Sequence, residues 1–152
     1  MALSKIDSFL GKLLEIITTI CLSAAVVVTL LQVVFRYVIQ QPLSWSQEVL
    51  MVSFVYSILF GSALAIKNSE HLTVDLYDNL SNTFSIILKT LEFIVVGVMI
   101  VTLVYYGFIL VMDNFESGQV LGILPVKKAY VYLALPVSGL FMLYFHIKKV
   151  FS

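Results

Sequence analysis

Ile16-Ile-Thr-Thr-Ile-Cys-Leu-Ser-Ala-Ala-Val-Val-Val-Thr-Leu-Leu-Gln-Val-Val-Phe35 carries no charge between Glu15 and Arg36. At about 1.5 Å per residue, a helix of that length crosses a hydrocarbon core roughly 30 Å thick. The chain repeats the pattern at Val49 to Ile66, Phe93 to Met112 and Ala129 to Ile147. Working outward from these runs, the sequence predicts an all-α integral membrane protein, a single domain over residues 1–152. Its transmembrane helices are expected near 13–38, 47–66, 84–113 and 128–148. Little of the chain is left over for a soluble catalytic domain.

Composition points the same way: 61% of residues are hydrophobic and 12% charged, and the mean hydropathy is +1.04, outside the range of soluble domains. Nine basic residues balance nine acidic ones, so there is no clustered positive excess to attract a nucleic acid. Cys21, the single cysteine, rules out an internal disulfide or a CxxC pair and reads as a small apolar side chain.

The first run is longer than the roughly 7 to 15 residues of a signal-peptide core, so it reads as a retained helix. Ahead of it, Ile6, Phe9, Leu10, Leu13 and Ile17 recur at helical spacing, with Lys5, Asp7, Ser8, Lys12 and Glu15 on the other side. Ser4 is the expected N-cap. Lys5, Lys12, Lys67, Lys89, Lys148 and Lys149 fall on one side of the membrane, against Arg36, Lys127 and Lys128 on the other. The positive-inside rule then places both termini in the cytoplasm.

In the second connection, His71, Asp75, Asp78, Asn79 and Asn82 share one helical side and Leu72, Leu76, Tyr77 and Leu80 the other. That pattern predicts a short amphipathic interfacial helix between helices two and three, with His71 and Asp75 toward water. The same pair could instead serve a metal or a proton relay, but no second histidine lies nearby. None of the spans holds Asp, Glu, Lys or Arg near its centre, where such a charge costs about 3 kcal/mol and is kept mainly for transport chemistry. His71 and His146 both read as peripheral, which argues against axial haem ligation. A self-contained four-helix exporter needs a buried carboxylate, for which the candidate is Glu15, on the boundary of the first span. A quinone- or haem-associated anchor subunit is the other alternative.

Ser53, Ser57, Gly61 and Ala65 form a small-residue stripe along helix two, suited to close helix packing within the bundle or against a larger subunit. Before that helix, Ser44 and Gln47 have capping-box spacing. Tyr37 and Trp45 suit the headgroup level, and Glu48 suits the positive end of the helix, where Arg36 could pair with it. A well-capped membrane hairpin accounts for all these residues without a partner.

Taken in order, Val34-Phe-Arg-Tyr37, Pro42-Leu-Ser-Trp-Ser-Gln-Glu48, Phe60-Gly61, His71-Leu-Thr-Val-Asp-Leu76, Leu124-Pro125 and Tyr130-Val-Tyr-Leu-Ala-Leu-Pro136 resemble the small membrane subunit, DctQ type, of tripartite ATP-independent periplasmic (TRAP) transporters. Nearly the whole chain is covered, in order. Gln47 departs where an acidic residue often precedes the glutamate, and Lys67 stands where arginine is common. The resemblance implies a non-catalytic subunit of a sodium-driven secondary transporter in a bacterial inner membrane, importing organic acids such as sialic acid or C4-dicarboxylates. It also implies a large multi-span membrane subunit as partner, whose scaffold this chain braces, and a periplasmic substrate-binding protein as a transient one. Arg36, Trp45, Glu48, Lys127 and Lys128 then become candidate docking residues for that binding protein. No cofactor, metal or catalytic residue is expected. Pro136 is expected to kink the last helix rather than to create an ion site.

Overall fold

The computed structural model describes residues 2–68 and 82–151. They form α1 (Ala2–Tyr37), α2 (Ser46–Asn68), α3 (Asn82–Ser117), α4 (Lys128–Tyr132) and α5 (Ala134–Phe151). Four apolar stretches are long enough to cross a bilayer: Asp7–Tyr37, Ser46–Asn68, Ile86–Ser117 and Lys128–Lys148. Helix is the natural outcome for such sequence, because a backbone in hydrocarbon must satisfy its own hydrogen bonds. The hydroxyls follow suit: Thr29, Ser62, Thr90 and Thr102 each donate to the carbonyl four residues back. The expected interfacial helix, with His71 and Asp75, lies outside the described residues.

The helix boundaries differ from expectation in places. α1 already begins at Ala2, so Ser4 lies inside it rather than capping it. α2 begins at Ser46, and the capping box of Ser44 and Gln47 is not the device that starts it. Instead the Ser46 hydroxyl donates to the Leu43 carbonyl at 2.7 Å, and the Ser46 N–H reaches the same carbonyl at 3.3 Å. The turn at Leu43 thereby supplies the start. α4 and α5 are separated at Leu133. Pro136 explains the break: lacking an N–H, it leaves the Tyr132 carbonyl without its usual partner, and proline is tolerated only in the first turn of the helix that follows.

The helices stand in a row. α1 packs along α2, α2 along α5, and α5 along α3; neither α1 nor α2 makes comparable contact with α3 among the described residues. The spans of α1 and α3 are accordingly the least buried. A cluster of Leu14, Phe60, Ala63, Ile100, Met142 and Phe145 runs through the middle of the row. On α1 the side facing its neighbours is Asp7, Gly11, Leu14, Thr18, Cys21, Ala25 and Val28, spaced alternately by four and three. That is the spacing of a left-handed seam between antiparallel helices. Phe9 and Leu13, on the apolar side read from sequence, are exposed at 68% and 39%.

Two lines of small residues set how closely the helices approach. A Cβ at Gly61 would lie 3.5 Å from the Thr18 methyl, an ordinary van der Waals contact, and one at Gly11 would displace the flexible end of Lys67. Both positions lie where α1 and α2 pack together. Between α3 and α5, a Cβ at Gly97 would meet His146 at 3.4 Å. One at Gly107 would meet Leu135 at 3.0 Å and Pro136 at 3.3 Å, and one at Gly139 would meet Val104 at 2.6 Å and Leu103 at 2.9 Å. These three glycines share one antiparallel register, so α3 is seated against α5 by notches rather than by large interlocking side chains.

Candidate functional site: polar ties at the two ends of the row

At the end carrying the 38–45 and 118–127 connections, the chain leaves α1 through Gln40, whose φ of 57° is left-handed, a conformation costly for residues with a Cβ. Arg36 lies 5.8 Å from the Tyr37 ring centroid. It does not pair with Glu48, which binds backbone instead. Its two carboxylate oxygens accept the backbone N–H groups of Ile123 at 2.8 Å and Leu124 at 2.9 Å. Successive N–H groups aimed at one anion form a nest, and hydrogen bonds to an ionised acceptor are stronger than neutral ones. The nest sits at the tip of a small hairpin. Its Leu121 N–H donates to the Val126 carbonyl and its Lys128 N–H to the Gln119 carbonyl, both at 2.9 Å, with Val120 opposite Lys127.

Glycine is needed at two points of this hairpin. Gly118 turns the chain out of α3 at φ 61°, and a Cβ at Gly122 would come within 3.0 Å of the Glu48 carboxylate. The Lys128 ammonium donates to the Gln119 side-chain oxygen at 3.2 Å, while Lys127 is exposed. Below the hairpin, the Tyr56 hydroxyl donates to the Tyr130 carbonyl at 2.8 Å, tying α2 to the short helix α4.

At the opposite end lies Asp7, placed by the sequence on the polar side of the first helix. It is 9% exposed, accepting the Tyr144 hydroxyl at 2.9 Å and forming an ion pair with Lys148. This joins the start of α1 to the end of α5, two helices otherwise separated by α2. His146, near the end of its span as the sequence places it, is buried as well. Its Nε2 is 3.1 Å from the Phe93 carbonyl oxygen, and its ring stacks on Phe93 with centroids 4.1 Å apart and planes 9° from parallel. Gly97 leaves the space for that ring.

Of the helix-two stripe, Ser57 is buried and hydrogen-bonded to the Phe54 carbonyl, Gly61 faces Thr18, and Ser53 and Ala65 are half-buried. Trp45 is 39% exposed. The geometry therefore separates the residues singled out from sequence. Glu48 and Gly61 hold the protein's own helices and loops together, whereas Arg36, Trp45 and Lys127 remain at the surface. Missed from sequence were Asp7, Tyr144, Gly97, Gly107 and Gly139. The alternation of Asp7, Gly11, Leu14, Thr18, Cys21 and Ala25 was the available signal for the first. Among the described residues no three His, Cys, Asp or Glu side chains converge.

What these features define is a multi-pass membrane protein whose polar side chains bind its own backbone and its own ends. The sequence profile of tripartite ATP-independent periplasmic transporters, DctQ component, matches residues 25–152, and the chain belongs to that family. It is 28% identical to the sialic acid TRAP transporter small permease protein SiaQ of Vibrio cholerae serotype O1, over 100% of this chain and 87% of that one. It is also 27% identical to the sialic acid TRAP transporter permease protein SiaT of Haemophilus influenzae, over 93% of this chain but 22% of that much longer protein. The chain is thus a TRAP transporter small permease subunit, as the resemblance implied.

Proposed function

We propose that this subunit braces the large membrane subunit of a sodium-driven TRAP importer of organic acids in a bacterial inner membrane. Sialic acid, named for both relatives, is the first substrate to try. The observation that carries the reading is the row itself. The Asp7 and Glu48 carboxylates and the buried His146 are occupied by internal partners, while the edge helices α1 and α3 leave broad apolar surfaces for lipid and a larger neighbour. Such a body suits holding a neighbour in place more than moving a solute, since it carries no charge near the middle of any span.

The test is capture of the tagged chain from its native membrane in mild detergent. A multi-span membrane protein encoded beside it should co-purify, and the pair with its binding protein should take up sialic acid only under an inward sodium gradient. Recovery of this chain alone, from membranes in which the neighbour is intact, would count against bracing. Uptake without sodium would remove the coupling.

In this reading the termini lie in the cytoplasm, following the lysine distribution. With Cys21 replaced by serine, a cysteine at Gln119 should react with an impermeant thiol reagent added from the periplasmic side, and one at Asn68 should not. The reverse pattern would invert the topology.

The hairpin and the neighbouring loop would then face the binding protein, with Arg36, Trp45, Lys127 and Lys128 as the contact surface and Glu48 beneath as its support. Charge reversal at a rim mainly slows association. Lys127→Glu with Lys128→Glu should therefore raise the half-saturating concentration of binding protein, by about tenfold for a loss of about 1.4 kcal/mol, at unchanged subunit levels. An unchanged uptake curve would restrict the subunit to bracing.

A further inference from the structure

Serine and threonine hydroxyls can be satisfied by their own helix, as Thr90 and Thr102 are on α3, because the oxygen stands one carbon from the backbone. A tyrosine hydroxyl, at the far end of a rigid ring, needs an acceptor on another element. Tyr56 and Tyr144 have one, in the Tyr130 carbonyl and the Asp7 carboxylate. Tyr105 and Tyr106 do not. They are 61% and 63% exposed on α3. Among the described residues, the side-chain hydrogen bonds donated from α3 come from Thr90, Thr102, Asn114 and Ser117, none from these two tyrosines.

Their depth makes that costly. α3 carries no charge between Glu92 and Asp113, and Tyr105 and Tyr106 stand eight and seven residues before Asp113, about 11 Å of helix from that boundary. Tyrosine suits the headgroup level, where its hydroxyl is wet. Helical side chains lean toward the N-terminus, which for this half of α3 is toward the middle of the bilayer. Lipid tails offer no acceptor there, and a hydroxyl left in hydrocarbon loses its hydration without replacement. The two rings meet edge to face, with centroids 5.4 Å apart and planes at 84°, so the hydroxyls are presented as a pair.

An acceptor at this depth has to come from protein. α3 meets α5 through Gly97, Val104 and Gly107. Val98, Thr102, Tyr105 and Ile109 run along its other side at spacings of four, three and four, the repeat of a helix that packs along a neighbour. In the Haemophilus influenzae relative, the stretch that matches this chain makes up 22% of one much longer polypeptide, so a segment of this kind lies there in the same molecule as the rest of a permease. That points to the large membrane subunit as the neighbour.

We propose that the outward side of α3 around Tyr105 and Tyr106 packs within the membrane against the large subunit, which supplies hydrogen-bond acceptors to both hydroxyls. This rests on the bracing role and names the face that performs it: the free edge of the row, in the half of the span nearest the hairpin.

The test uses the tagged full-length chain expressed together with the large subunit. Tyr105→Phe with Tyr106→Phe keeps both rings and removes only the hydroxyls. It should weaken association with the large subunit in mild detergent about tenfold, the effect of two interhelical hydrogen bonds of ordinary strength in a membrane. The thermal stability of the small subunit purified by itself should not change, since the hydroxyls bind nothing within it. A photoreactive benzophenone side chain placed at Tyr105 should crosslink to the large subunit in intact membranes. Unchanged association of the double variant overturns the proposal. So does a crosslink from position 105 to lipid alone or to a second copy of this chain, while the wild-type pair still co-purifies; bracing then stands and uses another face. A wild-type chain that does not co-purify with the large subunit removes bracing itself, and this contact with it.

Discussion

Gly139→Leu is expected to abolish recovery of the folded protein, and Gly139→Ala to lower its stability by about 1–3 kcal/mol, the usual range for overpacking a close contact. A Cβ at this position already sits 2.6 Å from the Val104 methyl and 2.9 Å from Leu103. Leu103 can swing away, but Val104 is β-branched and stiff on its helix, so α3 itself must shift. Since α3 is attached mainly through α4 and α5, it has no second helix to hold it while the seam opens. Thermal denaturation in detergent, followed by light scattering, supplies the readout. Gly118→Ala is the comparison: its Cβ meets nothing within 4 Å, and its φ of 61° alone penalises the change, by about 1 kcal/mol. Were Gly139→Ala no worse than wild type, the α3–α5 seam would be looser than the geometry describes.

Glu48→Ala should release the hairpin at residues 119–128 while leaving the spans assembled. Each hydrogen bond to a charged acceptor is worth about 1.5–3 kcal/mol in a protected site, and less here, because Ile123 is 56% exposed and water replaces part of what is lost. Hydrogen exchange at the Ile123 and Leu124 amides is the direct measure, and a rise of about tenfold corresponds to 1.4 kcal/mol. Glu48→Gln has a single side-chain acceptor oxygen, and its amide N–H₂ cannot accept from the second backbone N–H, so it should fall between. If neither variant changes exchange at these amides, the hairpin holds its shape without the carboxylate.

The four spans were legible because lipid imposes a blunt requirement on length and charge, and four uncharged runs meet it. Which side of each helix faces its neighbours was less legible. In α1 the sequence separates an apolar side, with Phe9 and Leu13, from a polar one, without saying which packs; Phe9 and Leu13 point outward and the packed side carries Gly11, Thr18, Cys21 and Ala25. In hydrocarbon, large apolar side chains gain little by turning inward, so close approach of small ones decides the orientation. The helix-two stripe was found by that rule, and the same rule applied to Gly97, Gly107 and Gly139 would have located the α3–α5 seam. Glu48 illustrates a different limit. Its place in the first turn of α2 suggested a local role, whereas its partners are 75 and 76 residues away, a pairing that spacing alone does not encode. Asp7 and Tyr144, 137 residues apart, are hidden for the same reason.

Because the last helix lies between the second and third, spatial order and order of synthesis disagree. A ribosome that has released α1 and α2 has made a pair able to close at once, with Thr18 against Gly61. The third span, emerging next, meets no surface it is shaped for, and must wait in the bilayer as an independent segment until the fourth is threaded in beside it. Chains stopped just before Lys128 should therefore hold a settled first pair and an unattached third span, the state that quality-control proteases would meet first.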